Sequence, residues 1–274
     1  VAADRATDAI ESSWLDMAVT PVTNAVWFED ARITTEARFL HMYHFIDEDF
    51  LGAGGGDAQL YALQLRYAVT DRLALIAVKD GLVDIELDNG YEQFDFADIA
   101  FGLKYQAYRS DEQELIVTPG LTFEVPTGGT DVFQGNGDGM FHPFVSFTKG
   151  FDKFQVAGNG GFHIPIDFDE ETAIAHYSLH MHYYLHQYFI PLFEVNATTV
   201  LSEAERIPAL DTEGADLFNF GAGDAAGSTQ VSLGIGFRSR ILDNLILGFA
   251  WEKQVVEDNS LFDHRFTTDL IYRF

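Results

Sequence analysis

From residue 31 onward, apolar and polar positions alternate with a period of two. Tyr61, Leu63, Leu65, Tyr67 and Val69 alternate with Ala62, Gln64, Arg66 and Ala68, and Ile99, Phe101, Leu103, Tyr105 and Ala107 alternate with Asp98, Ala100, Gly102, Lys104 and Gln106. Val231, Leu233, Ile235 and Phe237 repeat the pattern, as do Leu245, Leu247, Phe249 and Trp251. Successive strand side chains point to opposite faces, so each stretch is a strand with one apolar face and one small or polar face. Twelve strands are predicted, at about 31–46, 58–69, 73–80, 96–108, 114–125, 140–148, 154–164, 174–185, 189–201, 228–238, 244–255 and 264–274. Tight turns such as 70–72, 109–113 and 239–243 alternate without exception with long loops rich in Gly and acid, such as 52–57 and 167–171.

A soluble β-sandwich also has alternating strands, but it turns its apolar face inward. In a membrane barrel the apolar face meets lipid and the small or polar face lines the interior. Strict alternation of short and long connections is what an up-and-down meander with two distinct membrane sides produces. Aromatics also lie near both strand ends on the apolar faces: Tyr67, Tyr105 and Phe237 near turns, and Phe123, Phe162 and Trp251 near loops. These positions suit the aromatic girdles of the two membrane interfaces. A closed barrel pairs every backbone group, as lipid demands. The predicted fold is therefore all-β: a transmembrane up-and-down antiparallel β-barrel of 12 strands. An even strand count puts both termini on the short-turn side, expected to be periplasmic.

The first thirty residues read differently. Ile10, Trp14, Met17 and Ala18 recur at helical spacing, Asp8 with Glu11 fits a capping box, and Pro21 stops the helix. Two arrangements fit: a short amphipathic helix at the periplasmic rim, or a plug folded up into the lumen. The expected division is 1–30 as a periplasmic or lumen-plugging segment and 31–274 as the barrel.

Composition narrows the function. Lys plus Arg is 16 and Asp plus Glu is 43, a formal charge of −27, which repels phosphate backbones and argues against nucleic acid as a partner. There is no cysteine, so disulfides, thiolate zinc sites and cysteine nucleophiles are excluded. The longest aliphatic run, Leu73 to Val78, is far short of the roughly 20 residues of a spanning helix. No basic-then-apolar leader opens the chain, which reads as mature.

Phe266, Thr268, Leu270, Tyr272 and Phe274 share one face of the last strand. Such an ending resembles the assembly signal of bacterial outer-membrane barrels and implies the barrel-assembly machinery as a partner. Asp98-Ile-Ala-Phe-Gly-Leu-Lys-Tyr105, Val125-Pro-Thr-Gly128, Asp71-Arg-Leu73 and Pro191-Leu-Phe-Glu-Val-Asn196 resemble the outer-membrane family named after the meta-pathway of phenol degradation. That resemblance spans most of residues 70–274 and is weaker before them. It implies a barrel that passes small, often hydrophobic or aromatic molecules across the outer membrane.

With the apolar face toward lipid, the other face defines the pore lining. Its expected acids are Glu36, Asp98, Glu114, Glu124, Glu194, Glu252 and Asp269, and its bases Arg32, Arg38, Arg66, Lys104, Arg238, Arg265 and Arg273. Seven against seven leaves the wall near neutral, so the excess acid falls in the loops: 47–49, 84–88, 167–171, 203–216 and 257–258. These acids are expected first to keep the exposed loops solvated; they would also favour cations at the mouth and could bridge divalent cations to lipopolysaccharide. Arg32, Glu36 and Arg38 on the first strand should meet Arg265 and Asp269 on the last in a charge ladder across the seam. His176, His180 and His182 share the inward face of the eighth strand, with His163 and Glu194 on its flanks. Imidazoles two apart can converge on a metal with help from neighbouring strands, but a polar lumen-lining stripe is the expectation, with no metal and no cofactor. His176 and Ser178 have an H-x-S spacing, yet their face reads as lumen, and no enzyme is expected. The function expected is passive diffusion or uptake of a small-molecule solute. The alternative is a plugged barrel with a structural or surface-interaction role through its acidic loops.

Overall fold

A computed structural model describes residues 13–256 and 260–274. Its strands are β1 (Glu36–Ile46), β2 (Gly56–Ala68), β3 (Leu73–Lys79), β4 (Leu82–Leu87), β5 (Glu92–Phe96), β6 (Ile99–Tyr105), β7 (Tyr108–Ser110), β8 (Leu115–Val125), β9 (Met140–Phe151), β10 (Phe154–Pro165), β11 (Ile174–Tyr183), β12 (Ile190–Val200), β13 (Thr229–Leu242), β14 (Leu245–Val256) and β15 (Phe262–Arg273). Every pairing is antiparallel, and β1 pairs with both β2 and β15, so the sheet closes on itself. The β3–β4 pair makes one stave and β5–β6–β7 another. The fifteen segments are therefore a closed barrel of twelve strands, as predicted.

The two broken staves correct the predicted boundaries. Strands expected at 73–80 and 96–108 run on as β4 and β5, and the long loop expected between them shrinks to a turn at 88–91. Asp84 and Glu86, assigned to that loop, are strand residues. The break between β3 and β4 hid the continuation from a strict period-two reading. There Gly81 adopts φ +106°, and a Cβ on it would stand 2.0 Å from the Tyr61 carbonyl oxygen. Asp80 compensates by accepting a hydrogen bond from the Leu63 amide at 2.8 Å. The first strand begins at Glu36 and not at residue 31.

The faces divide as the alternation implies. Phe39, Leu63, Leu75, Leu103, Val145 and Ile235 point outward and are each about half exposed, which suits a lipid-facing surface. Inward positions are buried, but they form two zones. Near the end that carries Glu36 and Arg273 they are charged. Toward the long loops they are apolar: Leu40, Met42, Leu60, Val83 and Ile85 pack with Leu217, Phe218 and Phe220 from the loop between β12 and β13. The inner face is thus not polar throughout, because that loop folds into the barrel mouth and brings its own core.

Candidate functional site

The charged zone encloses part of the chain itself. A short helix α1 (Trp14–Met17) sits at the turn end, where Gln155 Nε2 donates to the Trp14 carbonyl at 2.7 Å and Trp14 Nε1 donates to Asp111 at 3.2 Å. The predicted capping pair Asp8 and Glu11 lies outside the described residues. Beyond Pro21 the segment climbs inside the barrel. It turns at Asn24, where the Trp27 and Phe28 amides donate to the Asn24 carbonyl at 3.1 and 2.7 Å, and then descends to Thr35. The Phe274 amide donates to the Thr35 carbonyl at 3.0 Å, so the segment leaves the barrel at the end by which it came in. Thr20 to Ala31 are all buried.

The wall satisfies this hairpin group by group, as a non-repetitive backbone buried in a barrel requires. Arg238 donates to the carbonyls of Thr20 and Pro21 at 2.8 and 2.7 Å, and Arg38 to those of Pro21 and Val22 at 3.1 and 3.3 Å. Glu194 accepts from the amides of Val22 and Thr23 at 2.9 and 2.6 Å. On the descending limb, Glu29 pairs with Arg66 and Lys104, each at 2.7 Å, and Lys104 also donates to the Asp30 carbonyl at 2.6 Å. Ser146 and Thr118 donate to the carbonyls of Glu29 and Ala31, both at 2.6 Å.

Most expected pore-lining residues belong to this arrangement. Arg38 and Arg238 share Asp269, and Glu36 meets Arg273 at 3.1 Å, a charge ladder across the β1–β15 seam. Arg265 instead pairs with Glu252 at 2.5 Å and with Asp216 of the loop between β12 and β13. Glu124 pairs with Lys79 at 2.5 Å. His180 lies 2.6 Å from Glu194 and 2.9 Å from His182, whose other nitrogen donates to the Met17 carbonyl at 3.1 Å. His163 and His176 lie buried higher in the barrel.

Three assignments change. Arg32 is not on the wall: it belongs to the inner segment, paired with Asp30 and donating to the Ala18 carbonyl at 2.7 Å. Asp98 sits at the β5–β6 break and accepts from the amides of Thr127, Gly128 and Gly135 at 2.8, 2.8 and 2.9 Å, so it holds the loop between β8 and β9. Glu114 lies in the turn before β8, with φ +48°. Ser178 accepts from Asn24 Nδ2 at 2.8 Å, which makes it another contact of the inner segment.

Sequence reasoning missed Glu29, Asp30, Lys79, His44, His142, Glu213 and Asp216, all buried. Period two could have found His142, which shares its face with Ser146 and Thr148. Lys79 follows a register shift between Ala77 and Lys79, which puts it on the inner side out of phase. Glu213 and Asp216 fall in a loop whose acids were expected to be solvated. Glu171, in the loop between β10 and β11, is also drawn in. Burial, with Glu124 nearby, pushes its carboxyl up to about 8.

Two small cavities lie inside among the described residues. A cavity of about 10 Å³ lies beside Asn24, Asn196 and Glu252, and one of about 20 Å³ beside Trp27, Lys79 and His163. Each has room for about one water.

No family model matches the sequence, and no curated protein matches it. Solved structures do resemble the fold. An outer membrane channel from Pseudomonas putida F1 superposes with TM-score 0.65 at 13% identity, covering 94% of this chain and 100% of that one. The NanC porin gives 0.53 at 7%, covering 88% and 100%. The translocator domain of the autotransporter NalP from Neisseria meningitidis gives 0.54 at 8%, covering 90% of each. At such identities the likeness establishes the fold, that of an outer-membrane β-barrel.

Proposed function

We propose that the protein is an outer-membrane channel for small solutes whose pore is closed by its own N-terminal segment. The observation that carries this reading is that residues 18–32 occupy the charged half of the lumen through hydrogen bonds and ion pairs with the wall. Arg38, Arg66, Lys104, Glu194 and Arg238 each bond to this one segment. Remove it, and those groups, four cations and one carboxylate, line a polar, hydrated passage, the kind of interior a diffusion channel uses. The channel and porin that share the fold support the same reading. The solute class, small and hydrophobic or aromatic, comes from the family resemblance in the sequence.

The loop end would face the exterior, with its exposed acids near lipopolysaccharide. Both ends of the barrel chain would face the periplasm. The outward row Phe266, Thr268, Leu270 and Tyr272 on β15 would be read by the barrel-assembly machinery. Single-channel conductance in planar bilayers tests the proposal. The full chain should open rarely, and deletion of residues 1–35 should give steady conductance. Silence in both forms would overturn it and favour a structural or surface-interaction role.

A further inference from the structure

We propose that His142, His163 and His176 form a binding site for a late first-row divalent metal ion such as Zn²⁺, inside the barrel beside Trp27. The three project inward from the adjacent strands β9, β10 and β11, and one nitrogen of each lies within 4.8 Å of the other two. All are buried, at 5, 4 and 0% exposure.

Their hydrogen bonding is incomplete. His163 Nε2 and His176 Nδ1 have no partner, and buried polar atoms seldom remain so. His142 Nε2 and His176 Nε2 face each other at 2.7 Å, so only one of them can carry a proton. A cation between the rings would take both lone pairs in place of that shared proton.

The surroundings leave space at these nitrogens. Gly161 lies between the two rings: a Cβ there would stand 2.7 Å from His176 Nε2, 2.9 Å from His142 Nε2 and 2.7 Å from the Pro143 carbonyl oxygen. Trp27 covers the other side, its ring 4.2 Å from that of His163. Thr122 Oγ1 lies 3.4 Å from His142 Nδ1, in position to orient the ring.

Neutral imidazole suits Zn, Cu and Ni, and three nitrogens leave a fourth position open. Tetrahedral bonds of about 2.05 Å put ligand nitrogens about 3.3 Å apart. On binding, the 2.7 Å contact therefore widens and the longest separation closes. His180 and His182, on the same strand as His176, take no part, since Glu194 and Met17 engage them.

Because the site is buried, the test supplies Co²⁺ while the full chain refolds into detergent. The folded protein should retain one Co²⁺ per chain with the visible absorption of tetrahedral nitrogen ligation, and Zn²⁺ should displace it. His163→Phe and His176→Phe keep a ring in the packing and should weaken binding more than about 100-fold, beyond the roughly 10–100-fold cost of losing an outer-shell partner alone. His41→Phe, on the outer face, should bind as wild type. Folded wild-type protein that retains no Co²⁺, or undiminished binding by folded His163→Phe and His176→Phe, would overturn the site.

Discussion

Asp269 shows how few side chains hold the seam. It is fully buried and serves two arginines from different strands, Arg38 on β1 and Arg238 on β13, and those arginines in turn hold the carbonyls of Thr20 to Val22. Removing one partner of a buried ion pair leaves the other charge uncompensated. Asp269→Ala should therefore cost about 3–5 kcal/mol, read as a shifted urea midpoint in detergent; a change under about 1 kcal/mol would show that the arginines find other partners. The Arg38 and Asp269 positions were legible in the sequence, because period two sets both inward and barrel closure brings the first and last strands together. Arg32 was not legible, since nothing in the alternation marks Glu36 as the true strand start. Glu29 and Asp30 have no periodicity around them to give them a side.

At the scale of elements, the unexpected feature is how much irregular chain lies inside the barrel. The sequence left open whether the N-terminal segment rests at the rim or enters the lumen, since Pro21 ends a helix without directing the chain beyond it. The loop between β12 and β13 read as solvated acid, yet Leu217, Phe218 and Phe220 anchor it in the apolar zone and carry Glu213 and Asp216 in with them. Glu171 makes this packing sensitive to pH. Burial raises its carboxyl to about 8 from a usual 4.5, so the folded state holds a proton there that the unfolded state has already lost. That contribution is complete below about 4.5 and falls away as pH rises through about 8. Thermal unfolding should therefore occur at lower temperature as pH is raised from about 5 to about 9, and Glu171→Gln should flatten that dependence. An unchanged slope in the variant would assign the effect elsewhere.

For the whole molecule, the same alternation that defines the interior also defines the contact with lipid. Val145 lies in the middle of β9 and is 50% exposed. Val145→Arg should weaken folding into lipid vesicles by about 2–4 kcal/mol, the cost of a basic side chain near the bilayer midplane. An effect near zero would place β9 differently in the membrane. The fold was the most legible level, because period two and barrel closure are properties of the chain as a whole. The breaks at Gly81 and Asp98 blurred boundaries without altering the strand count. The central claim is that the inner segment closes the pore, and the most direct test fastens it in place. A Cβ at Gly234 would stand 2.8 Å from Thr23 Cγ2, which puts the two Cβ atoms about 4 Å apart, within disulfide range. The natural chain has no cysteine to compete. Conductance of the Thr23→Cys, Gly234→Cys protein should vanish on oxidation and return to the wild-type level on reduction. Equal conductance in the two redox states, with the disulfide verified, would contradict the account.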